Sequence, residues 1–139
     1  MEVGFTGTRL GMTEAQKRQL RKILELIVSG TFHHGMCVGA DEQAHYIAKE
    51  MGFKPIGHPP IVQSHMMVYD PQDFDYIYLP GKYLERNHDI ATHSDLLIAT
   101  PKGEFEEKRS GTWSTVRYAN ILHRTIVIIK PAGNITYIN

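Results

Sequence analysis

The run Ser110-Gly111-Thr112-Trp113-Ser114-Thr115 places four hydroxyls and a glycine within six positions. Hydroxyls at the start of a helix, beside its unpaired backbone N–H groups, suit an anion such as phosphate. Gly111 would let such a ligand approach the backbone. The plain alternative is an ordinary cap built from Ser and Thr. Three other places offer related chemistry. Gly7-Thr8-Arg9 is a glycine loop between a buried strand and a helix, a geometry that cradles phosphate, although it lacks the GxGxxG dinucleotide fingerprint. Gly39 closes a second glycine loop, and Asp41 is placed to cap the helix after it. Arg86 with Asn87 forms a candidate clamp, because a guanidinium offers a two-pronged fork to phosphate or carboxylate. For that pair, a solvated helix face is the bland alternative.

The elements that must position these residues follow from periodicity. Strands are expected near 2–6, 31–34, 53–57, 95–100 and 125–130, and helices near 13–29, 41–51, 83–93 and 111–123. Thr13 with Gln16 is a capping-box pattern. Leu20, Ile23, Leu24, Ile27 and Val28 share one helical face, and Gly30 is expected to stop that helix. Ala44, Ile47, Ala48 and Met51 form the buried stripe of the second helix. On the third, Leu84 and Ala91 can pack, whereas Arg86, Asn87, His88 and Asp89 cannot all be buried cheaply. Residues 58–82 are irregular, with Pro59, Pro60, Pro71 and Pro80 breaking the segment. Asp70, Asp73 and Asp75 make it acidic, and its aromatics anchor it to the core or stack on a base. Ile135–Ile138 forms a small strand on the sheet edge or against a second copy of the chain. Strand–helix alternation of this kind predicts an α/β fold, a Rossmann-like three-layer sandwich with a mostly parallel central sheet.

Bulk properties set outer bounds. A chain of 139 residues is expected to form one domain, residues 1–139. Fifteen basic residues balance fifteen acidic ones, so no global field draws the molecule to nucleic acid or an anionic membrane. No stretch has the length of a membrane span. The single cysteine, Cys37, excludes an internal disulfide and reads as a small buried thiol. With a first strand starting at the N-terminus instead of a signal peptide, a cytoplasmic protein is expected. His33 and His34, two of eight histidines, would point to opposite faces of a strand. They lack partners at ligand spacing, so no metal centre and no cofactor are expected.

Four segments in order resemble the DNA-processing protein A (Smf) family and, more broadly, the SLOG superfamily of Rossmann-like nucleotide-binding domains. These are Gly4–Arg9 (GFTGTR), Gly35–His45 (GMCVGADEQAH), Arg86–Ala91 (RNHDIA) and Arg109–Ala119 (RSGTWSTVRYA). More distantly, Arg86 and the Gly111-Thr112 turn are similar to those of the Lonely-guy type phosphoribohydrolases, which cleave nucleoside monophosphates at the N-glycosidic bond. Those enzymes carry a catalytic glutamate three residues after the threonine, where this sequence has Thr115. The resemblance implies ligand sites at the carboxyl ends of the strands.

Three functions are therefore carried forward, in order of preference. The first is binding of a nucleotide or nucleotide-derived small molecule through Gly7, Thr8, Arg9, Gly39, Asp41, Arg86, Asn87, Ser110, Gly111, Thr112 and Thr115. The second is a nucleotide N-glycosidase with Arg86 on phosphate and Asp89 or Asp41 as the acid/base carboxylate. The third is single-stranded DNA binding, disfavoured by zero net charge and the acidic 70–75 stretch. A homo-oligomer is the expected assembly.

Overall fold

The computed structural model describes all 139 residues. The chain runs β1 (Glu2–Gly7), α1 (Glu14–Ile27), β2 (Thr31–His34), α2 (Ala40–Glu50), β3 (Lys54–Gly57), β4 (Tyr76–Ile77), α3 (Tyr83–His93), β5 (Leu96–Thr100), α4 (Gly111–Ile121), β6 (Thr125–Ile129) and β7 (Ile135–Ile138), with a 3₁₀ turn at Pro71–Asp73 before β4. The strands form one sheet in the order β4-β3-β2-β1-β5-β6-β7. Every neighbouring pair is parallel except the antiparallel β6–β7 edge.

Both faces of the sheet are covered, which is why β5 and β6 read as unbroken apolar runs. Side chains alternate across β5. Leu96 and Ile98 join the cluster under α1 and α2, with Phe5, Leu20, Leu24, Phe32, Ala44 and Ile47. Leu97 and Ala99 join the cluster under α3 and α4, with Ile90, Ala91, Trp113, Val116 and Ile126. This is the three-layer, mostly parallel arrangement that the alternation predicts.

The capping box at α1 is present: Gln16 N donates to Thr13 Oγ1 at 3.1 Å, and Thr13 N donates to Gln16 Oε1 at 2.9 Å. Gln16 also donates to the carbonyls of Pro101 and Ile129, tying the helix start to the ends of β5 and β6. The adjacent histidines do face opposite ways. His33 pairs with His58 (2.8 Å) and with Glu2 (2.6 Å), whereas His34 pairs with His45 (2.9 Å). β7 lies on the sheet edge.

Four expectations are corrected. α1 ends at Ile27 with Val28 in a left-handed conformation (φ 80°), so Val28 leaves the buried stripe, is 73% exposed, and stops the helix before Gly30. Asp41 is not the cap of α2. Gly39 is, at φ 85°, and the Asp41 carboxylate instead accepts the N–H groups of Gly35 (3.1 Å) and Cys37 (3.3 Å), fastening the loop before its own helix. α3 presents its polar face inward: Arg86 and Asn87 are buried, and Leu84 is exposed. The reason is that the first half of this face lines a polar cleft, while Ile90 and Ala91 further along it pack in the apolar core. The 58–82 segment contributes a strand that periodicity misses, β4, two residues long. Phe74 anchors the segment against Met36 and Met67, and Asp73 pairs with Lys49 of α2, so this part of its acidity is spent on docking.

Candidate functional site

β1 sits between β2 and β5, so the chain leaves its carboxyl end where the order of strands reverses, and open parallel sheets carry their ligand crevices there. The loops after β1, β2 and β5, together with the first half of α3, enclose a cleft of about 1080 Å³.

Arg86 forms its floor. The side chain is 4% exposed, with its guanidinium carbon 4.7 Å from the Tyr83 ring centroid and Nη2 3.7 Å from Cys37 Sγ. Buried polar atoms normally find partners, yet Arg86 Nε has none. The position is fixed by a glycine. A Cβ on Gly35 would lie 1.4 Å from Arg86 Nη1 and 3.1 Å from Asp41 Oδ2, so the guanidinium occupies the space that a side chain at 35 would take.

Asp41 lies in the same cleft, buried at its wall. Burial pushes its carboxyl up to about 6, against the opposing pull of the Arg86 charge and of the N–H groups of Cys37 and Gly35. A carboxyl that titrates near pH 6 can hold or release a proton beside a bound ligand.

Of the four hydroxyl residues at α4, Ser110, Thr112 and Ser114 line the cleft and Thr115 does not. Ser110 Oγ accepts the Trp113 N–H at 3.2 Å, an ordinary cap. Thr115 is fully buried and its hydroxyl donates to the Gly111 carbonyl at 3.0 Å, inside the helix. A Cβ at Gly111 would meet only Asn87 Nδ2, at 3.9 Å, so packing does not impose glycine there and the backbone stays open to the cleft.

Nine of the eleven residues singled out from the sequence meet in this one cleft. Gly39 and Thr115 do not line it. Gly39 serves a close crossing, since a Cβ there would fall 2.2 Å from the Arg9 carbonyl oxygen. The Thr8 hydroxyl accepts the Leu10 N–H, and its carbonyl accepts from Gly11 and Ala40, so this loop is a tight turn joined to α2. Asp89 is exposed on α3 and outside the cleft, which removes it as the acid/base carboxylate.

Sequence reading missed Tyr83, Lys102, Lys108 and Arg117 as lining residues. Tyr83 was findable, because it stands three residues before Arg86 on one helical face. Six cationic side chains (Arg9, Arg86, Lys102, Lys108, Arg109 and Arg117) line the cleft against two carboxylates, Asp41 and Glu107. On a molecule with no net charge this is a concentrated positive site.

No family model and no curated protein matches the sequence. Solved structures do match. The molybdenum cofactor binding protein of the phototrophic bacterium Rippkaea orientalis superposes with a TM-score of 0.69 at 22% identity, covering 92% of this chain and 75% of that one. DNA processing protein A of Streptococcus pneumoniae gives a TM-score of 0.66 at 21% identity over 91% of this chain. This chain spans about half (49%) of that protein's length. A structural-genomics protein, TM1055, gives 0.66 at 15% identity, covering 95% of this chain and 75% of that one. The chain thus has the Rossmann-like α/β fold that these proteins share, of the kind the DNA-processing protein A resemblance implies.

Proposed function

We propose that the protein binds a nucleotide or nucleotide-derived ligand, with an anionic group of the ligand on Arg86 and the start of α4. The observation that carries this reading is the buried guanidinium whose Nε lacks a partner, at the floor of a cationic cleft at the strand reversal. Gly7, Thr8, Arg9, Asp41, Asn87, Ser110, Gly111 and Thr112 complete the surroundings of the ligand. The fold supports the reading by likeness: one structural neighbour is named for binding a cofactor and another for processing DNA. Long single-stranded DNA fits less well, because Tyr83 is the one Phe, Tyr or Trp lining the cleft, and strand binding relies on successive stacked bases.

Two measurements test it. Denaturing the protein purified from cells and analysing the supernatant by mass spectrometry should release a bound nucleotide. Thermal unfolding with mono-, di-, cyclic and ADP-ribose-type nucleotides should show stabilisation by at least one, about 2.7 kcal/mol at a hundred times its dissociation constant. A flat response across that panel refutes the proposal. Tight binding of single-stranded DNA that survives physiological salt would replace it with the third reading.

Asp41 favours one second reading, hydrolysis of the glycosidic bond. Its carboxyl lines the cleft and sits near 6, where a general acid or base works best at neutral pH. Release of free base from nucleoside monophosphates, lost in Asp41→Asn with binding retained, would establish an enzyme.

A further inference from the structure

The cations of the cleft lie at two depths. Arg86 is buried at the floor, and Arg9, Lys108 and Arg109 are exposed at the rim. Two other rim cations are already spent. Arg117 donates to Glu106 Oε2 at 2.7 Å and to the backbone carbonyls of Glu107 (3.4 Å) and Lys108 (3.1 Å), while Lys102 stands 3.7 Å from Glu107 Oε1. Arg9, Arg86, Lys108 and Arg109 form no ion pair. The bonds from Arg117 hold the backbone at 107–108, and so fix the place where Lys108 and Arg109 precede Ser110, the cap of α4. The rim pair is therefore mounted on a fastened loop beside the helix start.

Charge and size then set the class of ligand. Four unpaired cations face one unpaired carboxyl, Asp41. One phosphate group carries about two negative charges at most, too few to neutralise this site. A volume of about 1080 Å³ is also at the upper end for small-molecule pockets, which run from about 300 to about 1000 Å³.

We infer that the cleft takes a ligand bearing two anionic groups, such as a diphosphate, with an inner station at Arg86 and an outer station at Lys108 and Arg109. The inference rests on the nucleotide-binding reading for the organic part of the ligand and on the cations alone for the anionic part. Lys108 and Arg109 are, on this account, specificity-determining residues that separate diphosphates from monophosphates.

Titration calorimetry at low salt tests it with four probes: inorganic phosphate, pyrophosphate, AMP and ADP. Pyrophosphate should bind at least tenfold more tightly than phosphate, and ADP at least tenfold more tightly than AMP. The double variant Lys108→Ala/Arg109→Ala should cost ADP and pyrophosphate at least tenfold and the two monophosphates less than threefold. A control that removes the same charge from α1, Arg18→Ala/Lys22→Ala, should leave every ratio unchanged. Equal affinity for mono- and diphosphates overturns the inference while leaving nucleotide binding in place. So does a double variant that weakens all four probes alike, which would report only the general field. If pyrophosphate outbinds phosphate and neither nucleotide binds, the two-station site stands, and the nucleotide reading rests on the cyclic and ADP-ribose-type arms of the thermal panel. Failure of all four probes removes the two-station site.

Discussion

The most searching test of the site leaves every one of its charges in place. In Gly35→Ala the new methyl would lie 1.4 Å from Arg86 Nη1 and 2.7 Å from its Cζ. Non-bonded atoms rest at about 3.5 Å, so the guanidinium must retreat by about 2 Å. Gly35 is not among the residues with positive φ, so alanine brings no backbone strain and the perturbation is purely steric. A displacement of that size breaks a two-pronged contact to an anion. Losing a charge-assisted contact costs about 1.5–3 kcal/mol, which lowers affinity about 10- to 150-fold. Crowding the floor should also cost about 1–3 kcal/mol of stability. Gly52→Ala separates the two effects, because that glycine has φ 87° and an added methyl there would meet nothing within 4 Å, so it loses stability by strain alone, far from the cleft. Calorimetric titration of ADP, with thermal unfolding of both variants alongside, gives the comparison. The reasoning is refuted if folded Gly35→Ala binds within twofold of the parent, or if Gly52→Ala weakens binding as much.

Arg86→Lys keeps the charge and loses the fork, and titration should show at least a tenfold loss of affinity for the phosphate probes. Acid should destabilise the fold between pH 6.5 and about 3, read as a falling midpoint of thermal unfolding. Burial holds His33, His34, His45 and His58 below the ordinary 6.5, His58 down to about 3, so the unfolded chain takes up protons that the folded one refuses, and stability present above 6.5 drains away as pH falls toward 3. Asp41 opposes this: raised from 3.8 to about 6, its penalty is absent below 3.8 and complete above 6, but it is one group against four. Binding of adenosine 5′-sulfate, whose anionic group does not titrate in this range, should tighten as pH falls through 6, because protonating Asp41 removes the one unpaired carboxylate facing the anion. Asp41→Asn should flatten that pH profile, and an unchanged slope would clear Asp41 of the linkage.

What the sequence reveals and what it hides follow different physics. β5 and β6 are legible because a strand covered on both faces must be apolar throughout, and Thr13 with Gln16 because a cap is a local exchange of hydrogen bonds. Arg86 is legible as a residue type and illegible as a buried one. Periodicity assumes that the inward face of a helix is the apolar face, and α3 reverses this where its inward face lines a cleft instead of the core. What makes the burial tolerable is non-local: the Tyr83 ring, the Cys37 sulfur, and above all the space left by Gly35, fifty-one positions away in the chain. The same holds for Asp41, whose type suggests a helix cap but whose carboxylate is taken by the loop of Gly35 and Cys37. Gly35, Cys37, Asp41 and Arg86 are thus one mutually dependent unit, and the glycine is its least conspicuous member. Chemistry can be guessed from the side chains that carry charge, whereas their placement depends on the residue that contributes no side chain at all.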